Sequence, residues 1–383
     1  MSRPLAGVKV IEMAAIGPVP FCGMTLADMG AEVVRVDRLQ DAGLGFPTLP
    51  AYDVMARGKQ SIAVDLKRPE GLAMVRRLMA GADAVIEGFR PGTMERLGLG
   101  PDVALQDNPR LVFGRCSGWG DTGPWAKAAG HDINFLGLSG ALAALGAEGP
   151  PPPPLNLVGD FGGAGMHLAA GVLAALLSAR TSGAGQVVTT SIAQGAVALM
   201  PMIYCRYAAG DWTLKRGDNS LDGGAPYYRC YETRDGRYMA AAPIEKKFYA
   251  VFLRLMELEA EIDPARQHDK ATWPSTAAIL ERAFRMRTQS EWSAVFSGSD
   301  ACVTPVLDMH AAPLHPQQQA VGAFVRAGGY TQPAPGVRFA SAAPSPGPLP
   351  EPGQHTAVVL ADLGYAADVI AGYVASGVVR VAH

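Results

Sequence analysis

The amino-acid sequence predicts an α/β protein with two parts. A Rossmann-like large domain has helices on both faces of a parallel sheet, and a smaller domain is α+β. Short apolar runs alternate with helical patterns through the first 200 residues, which is the order of βαβ units. After a polar stretch near residues 210–225, Asp235-Gly236 separates two apolar runs and indicates an antiparallel hairpin.

Each element of the large domain has a local signal. A turn containing Gly17, Pro18 and Pro20 separates the first strand from the first helix, and Gly30 ends that helix. Pro69 favours the start of another helix. Strands are predicted at residues 7–13, 31–37, 61–65, 84–87, 111–116 and 186–191. Helices are predicted at residues 21–29, 69–79, 162–180 and 193–207.

The second domain is shorter and has a different element order. Its strands are predicted at residues 227–233 and 237–242, and its helices at 248–258, 275–286 and 289–296. From about residue 325 the chain is rich in proline and predicted to be loop-like, until helices at 356–364 and 367–375. We therefore assign residues 1–205 to the large domain, 206–225 to a linker, 226–325 to the small domain and 326–383 to a segment returning to the large domain.

Composition excludes several classes of protein. Charged residues make up 18% of the chain and the formal net charge is −2, which argues against a disordered chain and a basic nucleic-acid binder. The five cysteines include no CxxC pair, so we expect reduced thiols rather than a disulfide framework or a zinc site. Residues 163–179 are short for a membrane span of about 20 residues, and no signal-peptide pattern precedes the first strand. We expect a cytoplasmic protein without a nucleic-acid or membrane partner.

The loop after the first strand lacks the dinucleotide fingerprint. That fingerprint requires G-x-G-x-x-G, whereas residues 14–20 hold one glycine and two prolines. Basic residues near the predicted strand ends have two interpretations, a cradle for a polyanionic nucleotide or ordinary surface charge. They are Arg38, Arg57, Lys59, Lys67, Arg68 and Arg90.

Three positions could carry chemistry. His131 follows a glycine-dense loop and is either a general base or a surface histidine. Asp160 precedes a helix and is either a helix cap or an active-site carboxyl, and Gly162-Gly163 is our candidate site for a developing oxyanion. Glu245 closes an apolar strand and is either solvated or functional. The other histidines show no metal-ligand spacing, so we expect no metal.

Eight segments occur together in an order and spacing that is specific, although each is weak alone. They lie at residues 26–38, 57–61, 130–134 (G-H-D-I-N), 155–163, 183–187, 216–219, 221–228 (L-D-G-G-A-P-Y-Y) and 300–306. On these segments the chain resembles the α-methylacyl-CoA racemases of the family III CoA-transferase superfamily over essentially its whole length.

The resemblance implies a racemase that interconverts (2R)- and (2S)-2-methylacyl-CoA thioesters through an enolate. His131 and Asp160 would exchange the α-proton on opposite faces, and Glu245 would orient His131. Implied residues lining the site are Asp132, Asn156, Gly162, Gly163 and Tyr228. Implied CoA contacts are Arg38, Ala63, Val64, Asp65, Leu66, Arg90, Gly130, Ile133, Asn134 and Phe135. The resemblance also implies an interlocked homodimer and no cofactor besides the CoA of the substrate.

Two other functions stay open. A CoA-transferase would use Asp160 as a nucleophile that forms an acyl anhydride, although transferases typically carry a residue other than histidine at the position of His131. A non-catalytic acyl-CoA-binding protein would not need His131, Asp160 and Glu245 together. The chain departs from its relatives at Gln60, where many have a basic residue, and at the proline run 150–154. Branched fatty acyl, sterol side-chain and 2-arylpropanoyl thioesters all fit the sequence.

Overall fold

The computed structural model describes residues 3–40, 43, 45–147, 149–340 and 346–382. The chain forms two compact units. The large unit comprises residues 1–139, 154–199 and 316–383, and the small unit comprises residues 140–153 and 200–315. The borders that the sequence placed at 205, 225 and 325 differ from these, and the domain assignment stays a prediction.

The described residues form strands and helices with the following bounds. The strands are β1 (Lys9–Met13), β2 (Glu32–Asp37), β3 (Gln60–Val64), β4 (Ala84–Glu87), β5 (Val112–Ser117), β6 (Gln186–Ser191), β7 (Arg229–Glu232), β8 (Tyr238–Ala241), β9 (Val303–Pro305), β10 (Phe324–Ala327), β11 (Tyr330–Pro333) and β12 (Val379–Arg380). The α-helices are α1 (Pro18–Asp28), α2 (Pro69–Ala80), α3 (Thr93–Arg96), α4 (Pro101–Asp107), α5 (Asp132–Ser139), α6 (Met166–Ser182), α7 (Ile192–Ala198), α8 (Pro201–Ala208), α9 (Lys246–Leu255), α10 (Trp273–Phe284), α11 (Gln289–Phe296), α12 (Pro316–Ala320), α13 (Thr356–Asp362) and α14 (Ala367–Ala375). A π-helix, Leu157–Gly165, leads into α6.

The large unit is built on a sheet whose described strands follow the order β12-β3-β2-β1-β4-β5-β6. All pairs are parallel except β12 with β3, which is antiparallel. One buried apolar cluster includes side chains of α1 and α6, and another includes side chains of α2 and α13. The predicted α/β fold is therefore confirmed.

The strand order reverses at β1. From β1 the chain builds β2 and β3 on one side and then crosses to β4, β5 and β6 on the other. Open parallel sheets bind ligands beyond the carboxyl ends of their strands at such a reversal. The loop that leaves the carboxyl end of β1, residues 14–17, lies at this point.

The structure corrects three predicted elements. Helix α1 begins at Pro18 rather than residue 21, because proline suits the first helical turn, where an N–H has no helical partner. The single helix predicted over residues 193–207 is wrong, since α7 ends at Ala198 and α8 begins at Pro201. The prediction of a loop-like segment after residue 325 is also wrong in part, because β10 and β11 pair there as a hairpin.

The helix predicted over residues 162–180 begins earlier, at Leu157, and its first part is a π-helix. The π-helix and α6 together span Leu157–Ser182, 26 residues that are long and apolar enough to cross a membrane by length and composition. Helix α6 nevertheless buries Leu168, Val172 and Leu176 in the apolar core of the large unit. That is the packing of a core helix, and the absence of a membrane partner stays a prediction.

The small unit contains an antiparallel sheet in the order β7-β8-β9 and a core of aromatic side chains. The predicted hairpin at Asp235-Gly236 joins β7 to β8 and is confirmed. The predicted linker belongs to this unit, and Asn219 is buried there in hydrogen bonds with Thr213, Lys215 and Asp222. The polar texture of this stretch therefore reflects a hydrogen-bonded structure.

Candidate active site

Asp160 lies in the π-helix, at the reversal point of the sheet. Its carboxyl group lies against Gly17, the residue before α1, where an added Cβ would be 2.9 Å from Oδ2 and 3.1 Å from Cγ. Gly17 has φ 71° and ψ −118°, a backbone conformation that favours glycine. The π-helix has i→i+5 hydrogen bonds, and such helices recur at functional sites.

Asp132, the first residue of α5, holds the start of the π-helix. Its Oδ1 accepts a hydrogen bond from the N–H of Asp160 at 2.6 Å, and the N–H of Gly159 also donates to this carboxylate. A Cβ on Gly159 would collide with Oδ1, so this position requires glycine. Asp132 is only 9% exposed, and its carboxylate binds the backbone N–H of Asp160.

The pKa of the Asp160 carboxyl is raised to about 6 from its ordinary 3.8. Burial is the main cause, and the negative charge of Asp132 adds to it. A hydrogen bond with the Asn156 side chain and the charge of His131 act in the opposite direction. Asp160 therefore changes its protonation state within reach of neutral pH.

His131 lies immediately before α5 and is exposed. Its N–H donates to Oδ1 of Asn134 at 3.0 Å, and its carbonyl accepts from the N–H of Asn134 at 2.8 Å. This closed turn fixes the backbone from which the imidazole projects. The charge of His131 lowers the pKa of Asp160 and is the smallest of the four influences on it.

Gly162 and Gly163 have a structural explanation that differs from the predicted oxyanion site. In a π-helix their N–H groups face the carbonyls of Leu157 and Val158, so both donors are already engaged. Gly163 also packs backbone to backbone on Gly195 of α7, and a Cβ on it would lie 2.9 Å from the carbonyl carbon of Gly195. The geometry therefore gives Gly163 a packing role, and the oxyanion site at these two glycines stays a prediction.

A groove of about 600 Å³ is lined by residues that precede and follow His131 in the sequence, among them Ala129 and Ile133. Ile133 and Asn134, two predicted CoA contacts, lie in its wall with Trp119 and Trp125. Phe135 is 4% exposed and stacks edge-on against Trp119 at 4.5 Å, so its ring belongs to the core. Gly130 packs against the same two rings, since a Cβ there would lie 2.9 Å from Trp119 and 3.0 Å from Phe135.

The other predicted CoA residues lie near the carboxyl ends of β2, β3 and β4. Arg38 and Arg90 are exposed. Ala63 and Val64 are buried within β3, backbone included, where β12 pairs with them, whereas Asp65 and Leu66 beyond the strand are partly exposed.

Two basic residues do not belong to a phosphate cradle. Arg57 is buried against Asp28, with Nη2 2.6 Å from Oδ2. Lys59 is fully buried against Glu12, with Nζ 2.5 Å from Oε2. Of the described residues, no group of three or more His, Cys, Asp or Glu is arranged to hold a metal ion.

A model of CoA-transferase family III matches residues 5–356. The chain belongs to this family. It is 44% identical over 370 residues to a mouse protein named alpha-methylacyl-CoA racemase, with 96% of this chain and 95% of the mouse protein covered. The human protein of that name is 39% identical over 372 residues, at the same coverage.

Other members of the family are more distant. Human succinyl-CoA:glutarate CoA-transferase is 28% identical over 403 residues, covering 98% of this chain and 90% of that protein. Among solved structures, a CAIB/BAIF family protein from Brucella suis has a TM-score of 0.79 at 24% identity and covers 95% of this chain and 100% of its own. That similarity supports the fold, and the resemblance found in the sequence is confirmed.

The remaining predicted residues of this family III protein lie in the small unit. Glu245 is the exposed residue that precedes α9, and its carbonyl accepts the N–H of Tyr249 at 2.9 Å. Tyr228 is partly buried beside the aromatic core of that unit. The orienting hydrogen bond from Glu245 to His131 stays a prediction, as does a place for Tyr228 in the site.

Sequence reasoning missed Gly17 and the pair of Glu12 with Lys59. The signal for Gly17 was present, because a glycine followed by proline directly after the first strand lies at the carboxyl edge of the sheet. No local signal distinguishes Lys59 from Lys67, since both are single lysines near the ends of β3.

Proposed function

We propose that the protein is a racemase of 2-methylacyl-CoA thioesters that acts by proton transfer at the α-carbon. The observation that carries this proposal is the buried Asp160 carboxyl, whose pKa is raised to about 6 and on which the charge of His131 also acts. A general acid or base works best when its pKa lies near the working pH.

The reaction requires the removal of the α-proton from one face and the return of a proton to the other. Neutral His131 accepts the α-proton in one direction while protonated Asp160 delivers its proton to the opposite face of the enolate. In the reverse direction Asp160 is the base and His131 the acid. No redox step occurs, and the thioester bond stays intact.

The burial of Asp160 supports this acid–base role. A carboxyl group that remained at its ordinary pKa would rarely carry a proton at neutral pH. Burial and the charge of Asp132 raise the protonated fraction. The overall relation to two mammalian racemases is the second support for the proposal.

Further parts of the proposal concern the remaining ligand contacts. The CoA nucleotide would contact Arg38 and Arg90, and its chain would follow the ends of β3 and the groove beside His131. Glu245 would orient the imidazole, and the active form would be a homodimer. The CoA of the substrate would be sufficient without a further cofactor.

The test is α-deuterium exchange. Incubation of the protein with (2R)-2-methylacyl-CoA in D2O should place deuterium at the α-carbon and yield the (2S) epimer, both followed by NMR. Passage of CoA to an added carboxylate without α-deuterium would instead indicate a transferase. Binding with neither product would indicate a non-catalytic acyl-CoA-binding protein.

A further inference from the structure

Glu12 and Lys59 form a fully buried ion pair that the proposed reaction does not use. Lys59 Nζ lies 2.5 Å from Glu12 Oε2, and both side chains are 0% exposed. Burial raises the pKa of Glu12 and lowers that of Lys59, which means that the buried site disfavours the charged form of each group. A buried ion pair is weak evidence for added stability, because apolar residues of similar volume often stabilise a fold equally well.

Lys59 has a second hydrogen-bond partner besides Glu12, and it lies in helix α1. Lys59 Nζ also donates to the carbonyl oxygen of Pro20 at 3.0 Å. Pro20 lies in the first turn of α1, where it and Pro18 contribute no N–H. An apolar residue at position 59 could fill the same space, but it could not hold that carbonyl.

The first turn of α1 meets the π-helix at three points. Gly17 lies against the Asp160 carboxyl, where a Cβ would be 2.9 Å from Oδ2. The ring of Phe21 stacks on Phe161, the residue after Asp160, with centroids 4.7 Å apart. A Cβ on Gly165 would lie 3.0 Å from the Pro18 carbonyl oxygen, so the two backbones are also close.

We propose that Lys59, paired with Glu12, is a positioning residue that holds the first turn of α1 against the Asp160 carboxyl. This inference rests on the proposed function for its catalytic consequence. Lys59 touches neither Asp160 nor the predicted substrate path. It acts through the Pro20 carbonyl, the turn and Gly17.

The turn also forms part of the buried surroundings of Asp160. The charged or titratable groups coupled to Asp160 are Asp132 and His131 next to α5 and Cys116 in β5. Lys59 and Glu12 are not among the groups that shift the pKa of Asp160. A turn that moves away would admit water to the carboxyl and reduce the desolvation that raises its pKa.

The deciding experiment compares Lys59→Met with wild type by NMR titration of protein carrying 13C-labelled aspartate. Asp160→Asn assigns the Asp160 carboxyl signal. We expect the Asp160 midpoint in Lys59→Met to move down from the wild-type value, toward that of an ordinary aspartate. This measurement needs no turnover, so it judges the positioning role even if the protein is not a racemase.

Turnover gives the catalytic consequence. In Lys59→Met, kcat for α-deuterium exchange should fall by about tenfold or more with KM changed less than about twofold, because misplaced catalytic groups slow the chemical step. The acid limb of the kcat profile should move to lower pH. Glu12→Gln should be milder, since Lys59 can still donate to Pro20.

Arg57→Met is the matched control. Arg57 pairs with Asp28 at the other end of α1, so its loss removes a buried ion pair without touching the first turn. It should lower stability and leave kcat and the Asp160 midpoint unchanged. If Lys59→Met behaves the same way, the positioning role is wrong.

A second pair of variants covers the case in which Lys59→Met does not fold. Gly17→Ala places a Cβ against the Asp160 carboxyl, whereas Gly98→Ala introduces a side chain at a similar φ of 69° with nothing within 4 Å. Gly17→Ala should shift the Asp160 midpoint and lower kcat, and Gly98→Ala should do neither. Equal titrations in the two variants would also overturn the inference.

Discussion

Two parts of the π-helix Leu157–Gly165 have different roles, one around Asp160 and the other around Gly163. On one side, Asp160 lies against Gly17 and is held by Asp132, and its pKa is raised to about 6. On the other side, Gly163 contacts the backbone of Gly195 in α7. A single glycine-rich segment thus supports a reactive carboxyl and a close helix contact. Substitutions on the two sides should separate activity from stability.

The largest effect should follow from changes on the reactive side. Asp160→Asn and His131→Ala should each reduce the rate of racemisation by at least about a hundredfold, the usual scale for a lost acid or base. Thermal unfolding should show both variants folded, because Asp160→Asn keeps the shape of the side chain and His131 is exposed. Near-normal racemisation in either variant would remove that residue from the mechanism.

Changes on the packing side should mainly reduce stability. Gly163→Ala would place a Cβ 2.8 Å from the Val158 carbonyl oxygen and 2.9 Å from Gly195, so we expect a loss of about 1–3 kcal/mol in the free energy of unfolding. Gly162→Ala is the control, since its Cβ would come no closer than 3.1 Å and should change stability by less than about 1 kcal/mol. Denaturant unfolding measures both. Equal stabilities would show that the contact with α7 tolerates a side chain.

The raised pKa of Asp160 should also make the free energy of unfolding depend on pH. The pKa of folded Asp160 lies above its ordinary value, so the folded state binds this proton more tightly than the unfolded state does. Ionisation of Asp160 therefore destabilises the fold as the pH rises from about 4 to about 6. Relative to wild type, Asp160→Asn should gain about 1–2 kcal/mol across this window, after a discount for the partial exposure of the carboxyl. A constant difference across that window would mean that the pKa is not raised.

The smallest effect should come from Asp132→Asn. The amide oxygen can still accept the N–H of Asp160, while the negative charge that raises the pKa of Asp160 is lost. The acid limb of the kcat profile should move to lower pH, with the maximal rate reduced only severalfold. A shift to higher pH would contradict the assigned cause.

Much of the fold followed from local patterns. The parallel strands and the Asp235-Gly236 hairpin have strong signals in period and turn residues, and they are confirmed. The predictions of one unbroken helix over residues 193–207 and of a first helix starting at residue 21 were wrong, because the same proline can end, start or interrupt a helix. The pairing of β12 with β3 joins residues more than 300 positions apart, which no local pattern reveals.

In the candidate site, too, some residues could be predicted from the sequence and others could not. His131 and Asp160 were candidates from their local sequence, the family resemblance implied their catalytic roles, and the structure adds that burial raises the pKa of Asp160. Lys59 looked like a member of a phosphate cradle, because a sequence records charge but not burial. Gly17 became significant only when its contact with the Asp160 carboxyl was visible.

The central claim is that two groups serve opposite faces of one α-carbon. The most direct measurement follows α-deuterium incorporation into each pure epimer of a 2-methylacyl-CoA by Asp160→Asn in D2O. We expect exchange without inversion for the epimer whose α-proton faces His131, and no exchange for the other. Racemisation of both epimers at the wild-type rate would contradict the claim.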